Sequence, residues 1–186
     1  MFSTYANRNL EIGDRLDVSF PEGRFVLDQK KKKTNSIVAF AAGSGITPIM
    51  SIIKTALTES DKLICTLVYG NKSPEETIFY KDLKSLSKIY DHRLQIEFVF
   101  SQKKTSNSIL GRIDYNNTKK ILKKINSNYN ENTSYFVCGP TGMINTVKNV
   151  LLSSGVPEDR ILYEFFSEDA NITQNDIDKS AHSHSV

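Results

Sequence analysis

Ile37-Val38-Ala39-Phe40-Ala41-Ala42-Gly43-Ser44-Gly45-Ile46-Thr47-Pro48 is the stretch that decides the fold. Its first six residues form an apolar run without polar alternation, the pattern of a strand covered on both faces. Gly43 and Gly45 end the run, and glycine permits either a tight bend or close approach of the backbone to a ligand. Thr47 is placed to cap a helix and Pro48 suits its first position, so strand, turn and helix follow one another directly. A helix start of this kind presents unpaired N–H groups and a positive dipole end to an anion. Gly-x-Gly alone is equally the mark of a plain turn, and no third glycine follows at the usual fingerprint spacing.

Outward from this stretch, the same alternation recurs. Residues 63–69, 94–100, 135–138 and 161–163 are rich in β-branched and aromatic side chains and read as strands. Residues 48–57, 75–89, 116–125 and 142–153 carry helical patterns between them. Strand alternating with helix predicts an α/β fold, a doubly wound five-stranded parallel sheet over residues 36–167. In such a sheet, ligands lie at the carboxyl ends of the strands, so function belongs in the turns after Ala42, Tyr69, Phe100 and Cys138.

The flanks differ. Residues 16–20 alternate with period two, Pro21-Glu22-Gly23 turns the chain, and residues 24–27 form a second short apolar segment. This is antiparallel β chemistry, and two such strands alone are marginal in water. Residues 1–28 therefore read as the last strands of an incomplete antiparallel β-domain, followed by a linker at 29–35. Residues 168–186 are polar, lack periodicity and are expected to be disordered.

Composition narrows the function. Apolar residues make up 39% and charged residues 24%, a balance that supports a packed core. No apolar run reaches the ~20 residues of a membrane span. The net charge of +3 and the isolated run Lys30–Lys33, without an aromatic platform, argue against nucleic acid as a partner. Cys65 and Cys138 lie in apolar segments, which suits a soluble protein of the reducing cytoplasm better than a disulfide framework. The three histidines provide no plausible metal cluster.

A second turn strengthens the ligand reading. Tyr135-Phe136-Val137-Cys138-Gly139-Pro140-Thr141-Gly142-Met143 closes one strand and opens another helix, with Pro140 at the helix start and Cys138 at the strand end. In this order and spacing, the two turns resemble the nicotinamide domain of the ferredoxin–NADP reductase superfamily. Tyr69-Gly70-Asn71-Lys72-Ser73, Phe100-Ser101-Gln102-Lys103 and Gly111-Arg112-Ile113-Asp114 resemble reductase components of the phenylacetyl-CoA epoxidase type. Tyr163-Glu164-Phe165-Phe166 resembles the superfamily's last strand, and Phe2-Ser3-Thr4-Tyr5 resembles the turn and helix that hold the FAD pyrophosphate. Residues 1–28 would then be the end of a flavin-binding barrel. The family's Arg-x-Tyr-Ser flavin motif is absent from this sequence, as are the four cysteine ligands of a [2Fe–2S] domain.

The resemblance implies a flavin-dependent NAD(P)H oxidoreductase, the electron-transfer component of a multicomponent oxygenase of phenylacetyl-CoA degradation. NADPH would give hydride to FAD, and single electrons would pass to an iron–sulfur centre, with an oxygenase component or a ferredoxin as partner. A truncated, non-catalytic nucleotide-binding module is the alternative. By resemblance, Gly43, Ser44, Gly45, Ile46 and Thr47, with Gly139, Pro140 and Met143, would surround the pyrophosphate and nicotinamide. Cys138, Glu164 and Phe166 would flank the site of hydride transfer, and Ser3 and Thr4 would touch the flavin nucleotide. Asn71, Lys72, Ser101, Lys103 and Arg112 are the candidates for the adenosine ribose. Neither turn begins with an acid, which tilts the choice towards NADP(H), with NAD(H) left open. The open strand edges expected in residues 14–27 suggest self-association.

Overall fold

The computed structural model describes residues 2–27, 34–125 and 132–165. Six strands form one sheet: β1 (Ser36–Ala42), β2 (Ile64–Asn71), β3 (Leu94–Phe100), β4 (Ser108–Leu110), β5 (Thr133–Gly139) and β6 (Ile161–Phe165). The order is β4-β3-β2-β1-β5-β6, and every pairing is parallel. The sequence predicts five strands; β4 is the sixth. It is three residues long, too short for any periodicity, and exists because Ser108, Ile109 and Leu110 pair with Phe98, Val99 and Phe100.

Alternation in β1 sends Ile37, Ala39 and Ala41 into one core and Val38 and Phe40 into the other. Both faces are therefore covered, which is why β1 reads as an unbroken apolar run. The first core packs under α2 (Ile46–Glu59) and α3 (Tyr80–Ile89), through Ile49, Ile53, Leu57 and Leu83. The second packs under α4 (Tyr115–Ile125) and α5 (Thr141–Ser153), through Ile121, Leu122, Val147 and Val150. The chain runs outward from β1 to β4 and then returns to the other side of β1 with β5. That reversal puts the switch point between β1 and β5, where Ala41 pairs with Cys138.

Two helix starts differ from expectation. Helix α2 begins at Ile46 after a single 3₁₀ turn over Gly43–Gly45, with Gly45 at the cap. Thr47 is thus inside the helix rather than its N-cap, and its hydroxyl donates backward to the Ser44 carbonyl at 3.0 Å. Helix α3 begins at Tyr80 and not near Glu75, because Phe79 adopts a left-handed conformation (φ 58°) that ends any helical run before it.

The expected β-hairpin of residues 16–27 is absent. A short helix, α1 (Phe2–Arg8), opens the chain, and residues 10–27 carry no strand. Their ladder partners do not exist in the described chain, and an unpaired two-strand ribbon has little to hold it. Val18 and Phe20 are consequently 86% and 89% exposed. The end of the segment is anchored instead by its side chains. Phe25 meets Phe136 edge-on with ring centroids 5.5 Å apart, and Leu27 packs on the same core. An aromatic pair of this kind adds ~0.5–1.5 kcal/mol beyond the area it buries. The expected linker lies mostly, and the expected disordered tail wholly, outside the described residues.

Candidate functional site

At the carboxyl end of the sheet, a cleft of about 610 Å³ opens over the switch point. Ala42 and Gly43 from the end of β1, Pro140, Gly142 and Met143 from the start of α5, and Asn71 and Lys72 from the end of β2 share its wall. Register explains the convergence: Ala42 pairs with Gly70 and Ala41 with Cys138, so three strands stop at the same level. Val99, Ser101 and the segment Gly111-Arg112-Ile113-Asp114 close the far side. The Asp114 carboxylate accepts from the Asn117 N–H at 2.8 Å and caps α4, which fixes the segment bearing Arg112.

Of the residues singled out in the sequence, Gly43, Asn71, Lys72, Ser101, Arg112, Pro140 and Met143 come together in this cleft. Ser44 and Thr47 are exposed on the adjoining turn, while Gly45 and Ile46 are buried beneath it. Gly43 needs glycine for its left-handed φ of 54°. Gly45 needs it for a different reason. A β-carbon there would stand 2.3 Å from the Cys138 carbonyl oxygen, so the first turn is docked on the second. Lys103 is exposed beside the cleft, Ser3 and Thr4 belong to α1, and Thr4 is exposed and is not among the described lining residues. Phe166 lies outside the described residues.

Cys138 and Glu164 are cross-strand partners, which places them side by side next to Gly139. The Cys138 side chain is fully buried in the core under α2. Burial, and secondarily the Glu164 charge, push its thiol up to about 11. At neutral pH it is a neutral, compact neighbour and not a thiolate nucleophile. Cys65 is raised further, to about 12, by burial. Both cysteines are free and buried, and two such thiols do not fit the four-ligand requirement of a [2Fe–2S] cluster.

The polar lining is incompletely satisfied. Asn71 Nδ2 is a buried donor without a hydrogen-bond partner, although the amide lies close enough to the Tyr69 hydroxyl to offset part of the burial that raises that phenol. An orphaned donor at a cleft wall is suited to an acceptor on a ligand. The cations are unevenly engaged. Lys72 pairs with Glu76 at 3.3 Å, and Lys103 pairs with Glu75. Arg112 pairs with no carboxylate among the described residues. Glu76 is a lining residue that the sequence pattern does not single out, as are Val99 and Thr146. Glu76 and Thr146 lie a few residues beyond the strand-end turns, and only the folded loop and helix bring them back.

The family model for the oxidoreductase NAD-binding domain matches residues 40–149, which include both turns. The chain belongs to this family. It is 33% identical over 167 residues to an Escherichia coli 1,2-phenylacetyl-CoA epoxidase subunit, covering 89% of this chain and 47% of that protein. The ferredoxin reductase component of 3-ketosteroid-9-alpha-monooxygenase from Rhodococcus rhodochrous is 33% identical over 159 residues, covering 86% and 41% respectively. Among solved structures, the CS-b5R domains of human Ncb5or in the NAD+ form superpose with a TM-score of 0.74 at 28% identity, covering 90% of this chain and 46% of that one. The chain thus spans about half, or less, of the length of these relatives. No helix of the described residues is long and apolar enough to cross a membrane.

Proposed function

We propose that the cleft binds a nicotinamide dinucleotide and that the chain is the hydride-donor half of a flavin-dependent NAD(P)H reductase. In the whole protein this reductase would serve a multicomponent oxygenase of the phenylacetyl-CoA epoxidase type, with the oxygenase or a ferredoxin as acceptor, in the cytoplasm. The observation that carries the reading is the convergence of the Gly43 and Pro140 turns on one cleft at the switch point, with the Asn71 donor unmet inside it. Two relatives named as reductase or epoxidase components, matched over most of this chain, support the oxygenase assignment.

When bound, the nicotinamide would supply hydride-transfer chemistry to a flavin acceptor. The residues of this chain position and exclude. In this proposal, Gly43 and Ser44 bring backbone N–H groups to the pyrophosphate, and the start of α2 adds its positive dipole end. Pro140 and Met143 would border the nicotinamide, with Cys138 and Glu164 behind it. The neutral Cys138 thiol would keep that end compact. Residues 10–27 form no strand, so the described chain supplies no barrel wall for a flavin, and Ser3 and Thr4 remain candidates only within a fuller domain.

For the adenosine end we propose NADP(H) over NAD(H), with Asn71, Lys72, Ser101, Lys103 and Arg112 facing the 2′-phosphate. The Lys72–Glu76 and Lys103–Glu75 pairs are solvent-exposed, and such pairs are worth ~0–1 kcal/mol. A phosphate carrying about two charges can displace them. Calorimetric titration of the chain with NADPH and NADH tests the reading: NADPH should bind more tightly, and absence of binding by either refutes it. The lack of barrel strands in residues 10–27 favours a second reading, a nucleotide-binding module without turnover on its own. Added FAD should then leave the purified chain colourless and NADPH-driven ferricyanide reduction negligible.

A further inference from the structure

Tyr69 is fully buried at the end of β2, yet its hydroxyl reaches two backbone carbonyls from separate loops. It donates to the Gly43 oxygen at 2.9 Å and lies 3.4 Å from the Ile78 oxygen. Gly43 opens the turn after β1, and Ile78 sits in the loop before α3, one residue before the left-handed Phe79. The Gly43 carbonyl also accepts from the Ile46 N–H, so both its acceptor directions are engaged. A carbonyl held from two sides fixes its peptide plane. In a trans peptide the following N–H points opposite to the carbonyl. The N–H of Ser44 is thereby turned away from the core that holds Tyr69.

We infer that Tyr69 is a positioning residue for the dinucleotide pyrophosphate: its hydroxyl locks the Gly43–Ser44 peptide so that the turn presents its N–H groups to the ligand. This rests on the nucleotide-binding reading above and adds a residue to it. Tyr69 is not among the residues that line the cleft; it acts through Gly43, and by its contact with Ile78 it ties the turn to the loop that carries Lys72 and Glu76 to the cleft. A phenylalanine at this place would fill the same core space and leave the peptide free to rotate.

The test compares the full chain with Tyr69→Phe and Phe98→Leu by calorimetry, using NADP+ and 2′,5′-ADP, which lacks the pyrophosphate link. The Phe98 ring lies 6.4 Å from that of Tyr69 and carries no hydroxyl, so its replacement loosens the same core without touching the link. One net hydrogen bond corresponds to a change of about three- to tenfold. Tyr69→Phe should weaken NADP+ by that factor and leave 2′,5′-ADP within about twofold, while Phe98→Leu lowers the melting temperature and changes neither affinity. Equal losses for both ligands in Tyr69→Phe, or no loss, overturn the inference. Should Tyr69→Phe not fold, amide exchange on the unaltered chain decides: NADP+ must slow the Ser44 amide, and unchanged exchange there overturns it. An unaltered chain that binds neither ligand overturns the nucleotide-binding reading itself, a result distinct from failure of the Tyr69 role alone.

Discussion

Gly45 lies so close to Cys138 that the turns after β1 and β5 share one backbone contact: an added β-carbon would come within 2.3 Å of the Cys138 oxygen and 2.9 Å of the Gly139 nitrogen. Both neighbours are main chain, so neither can swing aside. Gly45→Ala should therefore destabilise the fold by ~1–3 kcal/mol, the usual range for overpacking. It should also weaken nucleotide binding, because the turn after β1 must lift from the turn after β5. Urea denaturation and calorimetry measure the two effects. A variant as stable and as tight as the parent would mean that the turns are not docked.

Replacing Lys72 and Lys103 together with Ala should weaken 2′,5′-ADP more than 5′-AMP. Charge-assisted hydrogen bonds are worth ~1.5–3 kcal/mol each when well formed, so a selective loss of roughly tenfold or more is expected. The replacements also release Glu75 and Glu76, whose negative charge then opposes the phosphate. Equal losses for both ligands reject the 2′-phosphate site.

Glu75 gives an electrostatic check that needs no ligand. Its hydrogen bond from Lys103 lowers its carboxyl to about 2, well below the ordinary 4.5. Because the folded value is depressed, any stability this pair contributes is present above pH ~4.5 and is lost as pH falls towards 2. A carboxyl titration followed by NMR should show the low midpoint in the parent. In Lys103→Ala it should rise towards 4.5 while staying below it, because the Glu75 backbone and the Ser73 side chain also hold it down, and a midpoint unmoved from the parent's would show that Lys103 is not the cause.

The two thiols predict the opposite limb. Burial raises Cys138 to about 11 and Cys65 to about 12, so the folded chain holds protons that the unfolded chain releases near 9. Stability should fall as pH rises above ~9. Cys138→Ala should flatten that fall, whatever it does to stability at neutral pH. A native chain whose thiols react rapidly with a disulfide reagent at pH 8 would contradict their burial.

Residues 14–27 present the exposed Val18 and Phe20 next to the anchored Phe25. We expect the full chain to self-associate through this segment at high concentration, and Val18→Asp with Phe20→Asp to return it to monomer. Sedimentation velocity measures this, and a parent that is monomeric at high concentration would dismiss the idea.

The core of the fold was legible because the strands of a parallel sheet carry their burial in composition: Ile37 to Ala42 is apolar throughout and lies between two cores. Strand β4 was not, since three residues hold no period and only pairing with Phe98–Phe100 defines them. Residues 16–20 show the converse. Their alternation is genuine strand chemistry, but a strand needs a neighbour, and the described chain has none for it. At the site, the turn residues Gly43, Asn71 and Pro140 were visible as breaks after apolar runs, and Arg112 through the resemblance of its segment to known reductases. Glu76, Thr146 and the Tyr69 hydroxyl were not, because each acts across loops or through a carbonyl that only the folded chain brings near.

The most direct test of the central claim is to map NADP+ on the full chain by NMR chemical-shift perturbation. Binding in the cleft over the switch point should shift the amides of Gly43, Ser44, Asn71, Arg112 and Met143, saturating together at one dissociation constant. A smaller hollow lies elsewhere, lined by Thr133, Tyr135, Ser154 and Arg160, and provides an internal control. Shifts confined to that hollow, or no shifts at millimolar NADP+, would contradict a dinucleotide site between the Gly43 and Pro140 turns.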